Sequence, residues 1–187
     1  MGTNLEIEFK SELTKQDYEK LISKFSDAEI YSQTNYYIDT KDLTISNAKC
    51  GLRIREKSGE FEMTLKVPQE EGKLEINQQI TDKLVEKFEI PNGEIKQYLC
   101  KILGPKINEL FILGSLKTER IDLNYKTALI SIDKSSYNGI VDYEIEAEDT
   151  SMENAEKHLL EFLKDNDIEY KKSTGWKLKK FIDTLNY

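Results

Sequence analysis

The order of apolar and polar residues along the chain predicts a protein built mostly from β-strands. Alternation with a period of two, typical of strands with one buried face, recurs in eight segments: 4–10, 34–39, 51–56, 61–67, 73–80, 117–125, 127–134 and 140–148. Turn sequences such as Ser58-Gly59 and Asn138-Gly139 separate several of these segments. We therefore expect about eight strands, paired antiparallel.

Helical spacing of apolar residues appears between the predicted strands. Residues 15–25 carry an apolar stripe, and Thr14 with Asp17 resembles a capping box at its start. Further helices are predicted at 82–88, 94–103, 152–165 and 176–185. With 187 residues, 38% of them hydrophobic, the chain is long enough for one domain with its own core. We expect an α+β fold and a single domain over 1–187.

The polar faces of the predicted strands carry more charge than a solvated sheet usually does. Side chains two apart on a strand share a face, so the face that carries Glu6, Glu8 and Lys10 lies opposite an apolar one. The same pattern recurs with Arg53 and Arg55, and then in later strands with Thr64 and Lys66, and with Glu144 and Glu146.

Two arrangements of these strands are open. For any single strand, a sandwich whose polar face meets water is the simpler explanation. Several amphipathic helices, however, need an apolar surface to cover. If they cover the apolar strand faces, closure into an antiparallel β-barrel of about eight strands leaves a tunnel lined by charges. We expect this second arrangement, with the helices packed outside.

A tunnel lined by both signs of charge suits a phosphate chain bound together with a divalent cation. Arg and Lys bind phosphate oxygens, and carboxylates with phosphates are the ligands that Mg²⁺ and Mn²⁺ prefer. The formal net charge of −8 speaks against nucleic acid as a partner. No apolar run approaches the roughly 20 residues of a membrane span, so a cytoplasmic location is the default expectation. His158, the only histidine, is expected on a helix surface.

Several segments, in order along the chain, resemble one known family. Glu6-Ile7-Glu8-Phe9-Lys10 is similar to the ExExK signature of the CYTH or triphosphate tunnel metalloenzyme superfamily. Segments similar to later family strands follow from there to about residue 182: Tyr36–Thr40, Leu52–Glu56, Leu65-Lys66, Gly72–Gln79, Arg120 and Tyr143–Glu146. The chain most resembles the stand-alone, YjbK-like bacterial branch of this superfamily.

The resemblance implies roles for individual residues. The Mg²⁺ or Mn²⁺ ligands would be Glu6, Glu8, Glu144 and Glu146. The triphosphate would be bound by Lys10, Arg53, Arg55, Lys66, Arg120 and Lys177. Glu8 and Lys10 would be catalytic, with Lys10 either orienting water or binding phosphate. Glu75 and Asp133 would support these ligands without binding the first metal, or would bind a second metal. Asp133 fits equally well as an acid that orients Arg120.

The function implied is metal-dependent hydrolysis of a triphosphate, either inorganic tripolyphosphate or a nucleoside triphosphate. Such an enzyme is a phosphoric anhydride hydrolase. A class IV-like adenylate cyclase, or a non-catalytic regulatory module that binds polyphosphate or a nucleotide, would use the same residues. The expected partner is a small molecule that contains a triphosphate, with neither nucleic acid nor a membrane. The oligomeric state is open, with a homodimer as one alternative.

Overall fold

A computed structural model of the protein describes residues 2–81 and 88–185. Its nine strands in this part of the chain are β1 Gly2–Glu6, β2 Glu8–Glu12, β3 Tyr31–Asp39, β4 Gly51–Lys57, β5 Glu60–Pro68, β6 Lys73–Ile80, β7 Phe111–Tyr125, β8 Ala128–Tyr137 and β9 Ile140–Glu148. The helices are α1 Lys15–Lys24, α2 Thr44–Asn47, α3 Glu94–Leu103, α4 Met152–Asp165 and α5 Lys177–Ile182, with a 3-10 helix at Gly104–Glu109.

The chain divides into two compact units. The first contains Met1–Leu5 and Gln33–Leu116, and the second contains Glu6–Ser32 and Lys117–Tyr187. In the first unit the strands lie in the order β1-β6-β5-β4-β3, and in the second the order is β7-β8-β9-β2. The strands with described registers pair antiparallel throughout. The α+β class with antiparallel strands is therefore confirmed, while closure into a barrel and the single domain over 1–187 stay predictions.

The prediction of one continuous strand at 4–10 is wrong. β1 ends at Glu6 and β2 begins at Glu8, with the buried Ile7 between them. The backbone N–H of Asp149 donates to the Ile7 carbonyl at 3.1 Å, and beyond this point β2 pairs with β9. The alternation of Leu5, Ile7 and Phe9 runs across the break without interruption, so the pattern alone does not reveal it.

Other boundaries also differ from the sequence prediction. β7 begins at Phe111 rather than at residue 117, the short helix α2 was not predicted, and α5 covers a smaller range than 176–185. The helix predicted at 82–88 falls almost entirely outside the described residues. No helix in the described ranges is long and apolar enough to cross a membrane.

The core of the second unit covers the apolar faces of β8 and β9 and leaves their polar faces on the opposite side. Helices α1 and α4 place Leu21, Leu159 and Phe162 against the apolar face of the strands, which includes Ile130 and Ile132 of β8. Because side chains alternate along a strand, the intervening Ser131 and Asp133 belong to the opposite face. β9 follows the same rule: Ile145 and Ala147 join the core, and Glu144 and Glu146 alternate with them.

His158 does not lie on a helix surface, and that prediction was wrong. It is buried in α4, and its Nδ1 lies 2.8 Å from Oδ2 of Asp149. The Thr127 hydroxyl donates to the same carboxylate oxygen at 2.9 Å. The imidazole thus helps to fix α4 against the ends of β8 and β9, which is a structural role.

Candidate functional site

Three carboxylates from adjacent strands of the second unit meet in one place. Asp133 of β8 and Glu144 and Glu146 of β9 each offer an oxygen within 4.8 Å of the others, and all three residues are buried. The β8–β9 register places Asp133 opposite Glu144 and Ser131 opposite Glu146, so the pleat itself brings the acids together. We refer to Asp133, Glu144 and Glu146 as the acidic cluster.

Two cations on neighbouring strands neutralise part of this charge. Lys10 of β2 lies opposite Glu146 in the register, and its Nζ is 2.9 Å from Oε1 of Glu146 and 2.9 Å from Oε1 of Glu8. Arg120 of β7 donates from Nε and Nη2 to the two oxygens of Asp133, both at 2.6 Å, and Nη2 also lies 2.9 Å from Glu146. The guanidinium of Arg120 is thus held in a planar fork, the geometry that suits bidentate recognition.

The third cation enters from helix α5 and contacts every member of the acidic cluster. Nζ of Lys177 lies 2.8 Å from Oδ2 of Asp133 and 2.8 Å from Oε1 of Glu146, and it also forms an ion pair with Glu144. Only 13% of the Lys177 side chain is exposed. Three buried carboxylates therefore face three buried or nearly buried cations.

The pKa shifts follow from burial and from these pairings. Burial opposes ionisation of Glu146, but Lys10, Lys177 and Arg120 overcome it and hold the pKa of Glu146 well below its usual value. Burial likewise opposes the charge on Lys177, yet the three carboxylates raise its pKa well above normal. Glu144 differs, because burial dominates and Glu146 adds repulsion, so its pKa is raised despite Lys177.

The acidic cluster fits a divalent metal ion. The three acids are buried and each offers an oxygen within 4.8 Å of the others. Carboxylate oxygens are hard ligands that suit Mg²⁺ and Mn²⁺. Oε1 of Glu144 is paired with the Lys177 ammonium, so a cation already contacts the oxygens that a metal ion would use.

A second group of charges lies within the first unit, on strands β4, β5 and β6. Nζ of Lys66 is 2.8 Å from Oε1 of Glu75, and Nη2 of Arg53 is 3.6 Å from the same oxygen. Arg55 donates from Nε to Oδ1 of Asn35 at 3.1 Å. We refer to Arg53, Arg55 and Lys66 as the basic cluster.

The basic cluster holds Glu75 in its charged form and keeps one buried donor. Burial opposes ionisation of Glu75, but Lys66 and then Arg53 lower its pKa below the usual value. Nε of Arg53 is buried and has no hydrogen-bond partner among the described residues. A buried guanidinium donor with further cations beside it fits an anion rich in oxygen.

The predicted site residues thus fall into two groups. The second unit contains Glu6, Glu8, Lys10, Arg120, Asp133, Glu144, Glu146 and Lys177, and the first contains Arg53, Arg55, Lys66 and Glu75. The break at Ile7 places Glu6 at the end of β1, and the acidic cluster found in the described residues includes neither Glu6 nor Glu8. Their roles as metal ligands, like the roles assigned to the other residues, stay predictions.

Lys180 is a site residue to which the sequence analysis assigned no role. One turn after Lys177 on α5, its Nζ lies 3.2 Å from Oε1 of Glu12 and 3.5 Å from Oε2 of Glu144. The spacing of three residues between two lysines on one predicted helix was the available signal, since such residues share a helix face.

Antiparallel strands that carry a buried acidic cluster and a separate basic cluster define a class of protein suited to metal and phosphate binding. The sequence profile of the CYTH domain matches residues 4–181, so the chain belongs to the CYTH domain family. It is 36% identical over 151 residues to the Bacillus subtilis (strain 168) protein named "Putative triphosphatase YjbK", with 79% of each chain covered.

Solved structures show the same fold. A Bacillus halodurans protein described as a "putative adenylate cyclase" is 36% identical, with a TM-score of 0.88 and coverage of 97% of this chain and 99% of that one. A Hippeastrum protein described as a "putative adenylyl cyclase" with a dominant triphosphatase activity is 22% identical, with a TM-score of 0.80 and 96% coverage of both chains. The Hippeastrum protein is informative here for the fold alone.

Replacing Arg120 by Met should destabilise the protein. Asp133 is fully buried, and loss of the fork that binds both of its oxygens leaves a buried charge with too few partners, which costs about 3–5 kcal/mol of unfolding free energy. The matched control is Lys134→Met on β8, whose ion pair with Glu119 is more than one-third exposed on both sides and should contribute no more than about 1 kcal/mol. Urea unfolding of the two variants measures the difference, and equal losses would contradict this assignment.

Proposed function

We propose that this protein is a metal-dependent triphosphatase, which hydrolyses inorganic tripolyphosphate or a nucleoside triphosphate. The observation that carries the proposal is the acidic cluster, in which three buried carboxylates of adjacent strands each offer an oxygen within 4.8 Å of the others. Membership of the CYTH domain family and the name of the Bacillus subtilis relative support the same reaction class. The net charge of −8 supports a small triphosphate as the partner rather than nucleic acid, and we propose that the protein acts in the cytoplasm.

We propose that Glu144 and Glu146 hold Mg²⁺ or Mn²⁺, with Glu6 and Glu8 as further ligands. When bound, such an ion would neutralise charge on phosphate oxygens and make water a better nucleophile. Asp133 would act mainly through Arg120, because the fork of Arg120 uses both of its oxygens. Glu75, which pairs with Lys66 and Arg53, would adjust phosphate binding or serve a second metal.

Each unit contains cations that would bind phosphate oxygens. Arg53 has a buried Nε donor to offer, and Arg55 and Lys66 add two further positive charges. In the second unit, Lys10 and Arg120 are held by carboxylates in fixed positions. Such preorganised donors stabilise charge without having to reorganise during the reaction.

The proposed reaction is attack of water on the terminal phosphorus. The new P–O bond forms as the anhydride P–O bond breaks, and the products are orthophosphate and the shortened phosphate chain. Phosphoryl transfer needs positioning and charge stabilisation more than covalent chemistry, which agrees with the one histidine being a structural residue. Lys10 would bind the phosphate or orient water, and Glu8, 2.9 Å from its ammonium, would act beside it as the second catalytic residue.

The second candidate is an adenylate cyclase. It is favoured by the name of the Bacillus halodurans protein, which is 36% identical to this chain. A cyclase would use the same metal and phosphate contacts and would differ in placing the ribose 3′-hydroxyl against the α-phosphate. The products distinguish the two activities, because a cyclase releases pyrophosphate and cyclic AMP from ATP.

Glu144→Gln should abolish metal-dependent release of phosphate. The change keeps the size of the side chain but removes the charge that would bind the metal, and we expect kcat to fall by at least about 100-fold, the scale of a lost electrostatic contact in an active site. The assay measures orthophosphate from tripolyphosphate, ATP and thiamine triphosphate with Mg²⁺ or Mn²⁺, and after chelation with EDTA. Glu119→Gln, on the exposed ion pair with Lys134, is the matched control.

The products of the same assay separate the alternatives. Phosphate release by the wild type and the Glu119 variant, lost in the Glu144 variant and with EDTA, supports the triphosphatase. Cyclic AMP from ATP would identify the cyclase. Binding of these compounds without turnover would contradict both enzymatic functions and indicate a regulatory module that binds polyphosphate or a nucleotide.

Lys66→Met should weaken substrate binding more than it slows chemistry. The ammonium would contact phosphate oxygens both before and in the transition state, so its loss should raise KM by about 10-fold or more with a smaller change in kcat. Lys96→Met is the control, because Lys96 lies on the surface of α3 and bonds only to Asn92 among the contacts described. A KM unchanged from that of the wild type would exclude Lys66 from the phosphate site.

A further inference from the structure

Lys177 lies at the position where a cation bound by the acidic cluster would have to lie. We propose that the Lys177 ammonium occupies the cation site of the ligand-free protein, so that metal binding requires this side chain to leave. This inference rests on the proposed function, because it concerns the same metal site. It makes Lys177 a built-in competitor of the metal and adds to its predicted role in binding phosphate.

The contacts of Lys177 are those expected of a bound cation. Its Nζ contacts an oxygen of each carboxylate in the cluster, at 2.8 Å for Asp133 and 2.8 Å for Glu146 and in an ion pair with Glu144. A divalent ion needs the same oxygen lone pairs at about 2.0–2.6 Å, and it would repel a neighbouring ammonium. The two cations therefore exclude each other.

Of Lys10, Arg120 and Lys177, the cations that contact Asp133 or Glu146, Lys177 is the one suited to leaving. Lys10 and Arg120 project from strands whose backbones are fixed by ladder hydrogen bonds on β9 and β8. Lys177 is the first residue of α5, a helix of six residues. The residue before it, Trp176, forms no capping hydrogen bond with its side chain. A lysine side chain has four rotatable bonds and three donors that are not bound to one geometry, so it can exchange partners without a change in the backbone.

The rest of α5 holds the helix in place while the side chain moves. Leu178 and Phe181 are buried, and the ammonium of Lys180 is 3.5 Å from the second oxygen of Glu144. The expected motion is therefore a rotation of the Lys177 side chain away from the carboxylates and not undocking of the helix. The released ammonium could then bind an oxygen of the triphosphate, so that metal and substrate would favour each other's binding.

Lys177→Met should increase the affinity of the protein for Mn²⁺. The experiment measures free Mn²⁺ by electron paramagnetic resonance during titration of the full chain, without substrate. We expect the dissociation constant to fall by at least 10-fold relative to the wild type, because the metal no longer displaces an ammonium. Lys179→Met is the matched control, since it removes the same charge from the same helix but from an exposed ion pair with Asp183. Its dissociation constant should stay within about twofold of the wild type.

The outcomes separate this inference from the proposed function. If the wild type binds Mn²⁺ and the Lys177 variant binds it no more tightly, the competition is refuted while the triphosphatase stands. If none of the three proteins binds Mn²⁺, the metal site itself is refuted and the inference with it. Tighter binding in both lysine variants would show a general effect of net charge and would also overturn the inference.

A measurement on the wild type avoids any effect of the substitution on folding. A crystal of the full chain soaked in Mn²⁺ without substrate, with anomalous scattering used to locate manganese, should show manganese at the acidic cluster and the Lys177 ammonium out of contact with Asp133, Glu144 and Glu146. Manganese bound at the cluster beside a Lys177 ammonium that keeps these contacts would overturn the inference.

Discussion

The second unit depends on one electrostatic constraint: three carboxylates buried at the same place on adjacent strands must be neutralised. Uncompensated burial of charge is among the most costly events in folding. Strand β2 supplies Lys10, β7 supplies Arg120 and α5 supplies Lys177. The docking of strand β2 and of helix α5 is thus coupled to the chemistry of the site, because each delivers a cation to the acidic cluster.

The parts of this arrangement that follow from strand periodicity were predictable. Alternation of Ile130 and Ile132 with Ser131 and Asp133 gives β8 one apolar and one polar face, and β9 repeats the pattern. The break at Ile7 was not predictable, because a tertiary hydrogen bond from Asp149 marks the point where the chain takes a new partner strand. The burial of His158 was missed for a related reason, since its carboxylate partner belongs to a loop and not to its own helix.

In each of the two charged clusters, a side chain of the protein holds the place that a ligand would take. Lys177 occupies the position of a cation in the acidic cluster, and Glu75 occupies the position of an anion beside Arg53 and Lys66. Ligand binding would therefore be an exchange of partners, in which affinity depends on the difference between two sets of ion pairs. Such exchange keeps the charges balanced without a ligand, and it favours ligands that bring both a divalent cation and several phosphate oxygens.

The proposed triphosphatase activity depends on the binding of a divalent metal ion by the acidic cluster. The most direct test is a crystal structure of the protein grown with Mn²⁺ and a non-hydrolysable tripolyphosphate analogue, with anomalous scattering used to locate manganese. We expect an anomalous peak coordinated by Glu144 and Glu146, with the Lys177 ammonium displaced towards phosphate. A crystal at saturating Mn²⁺ in which Lys177 still fills the cluster, and manganese lies elsewhere or binds nowhere, would contradict it.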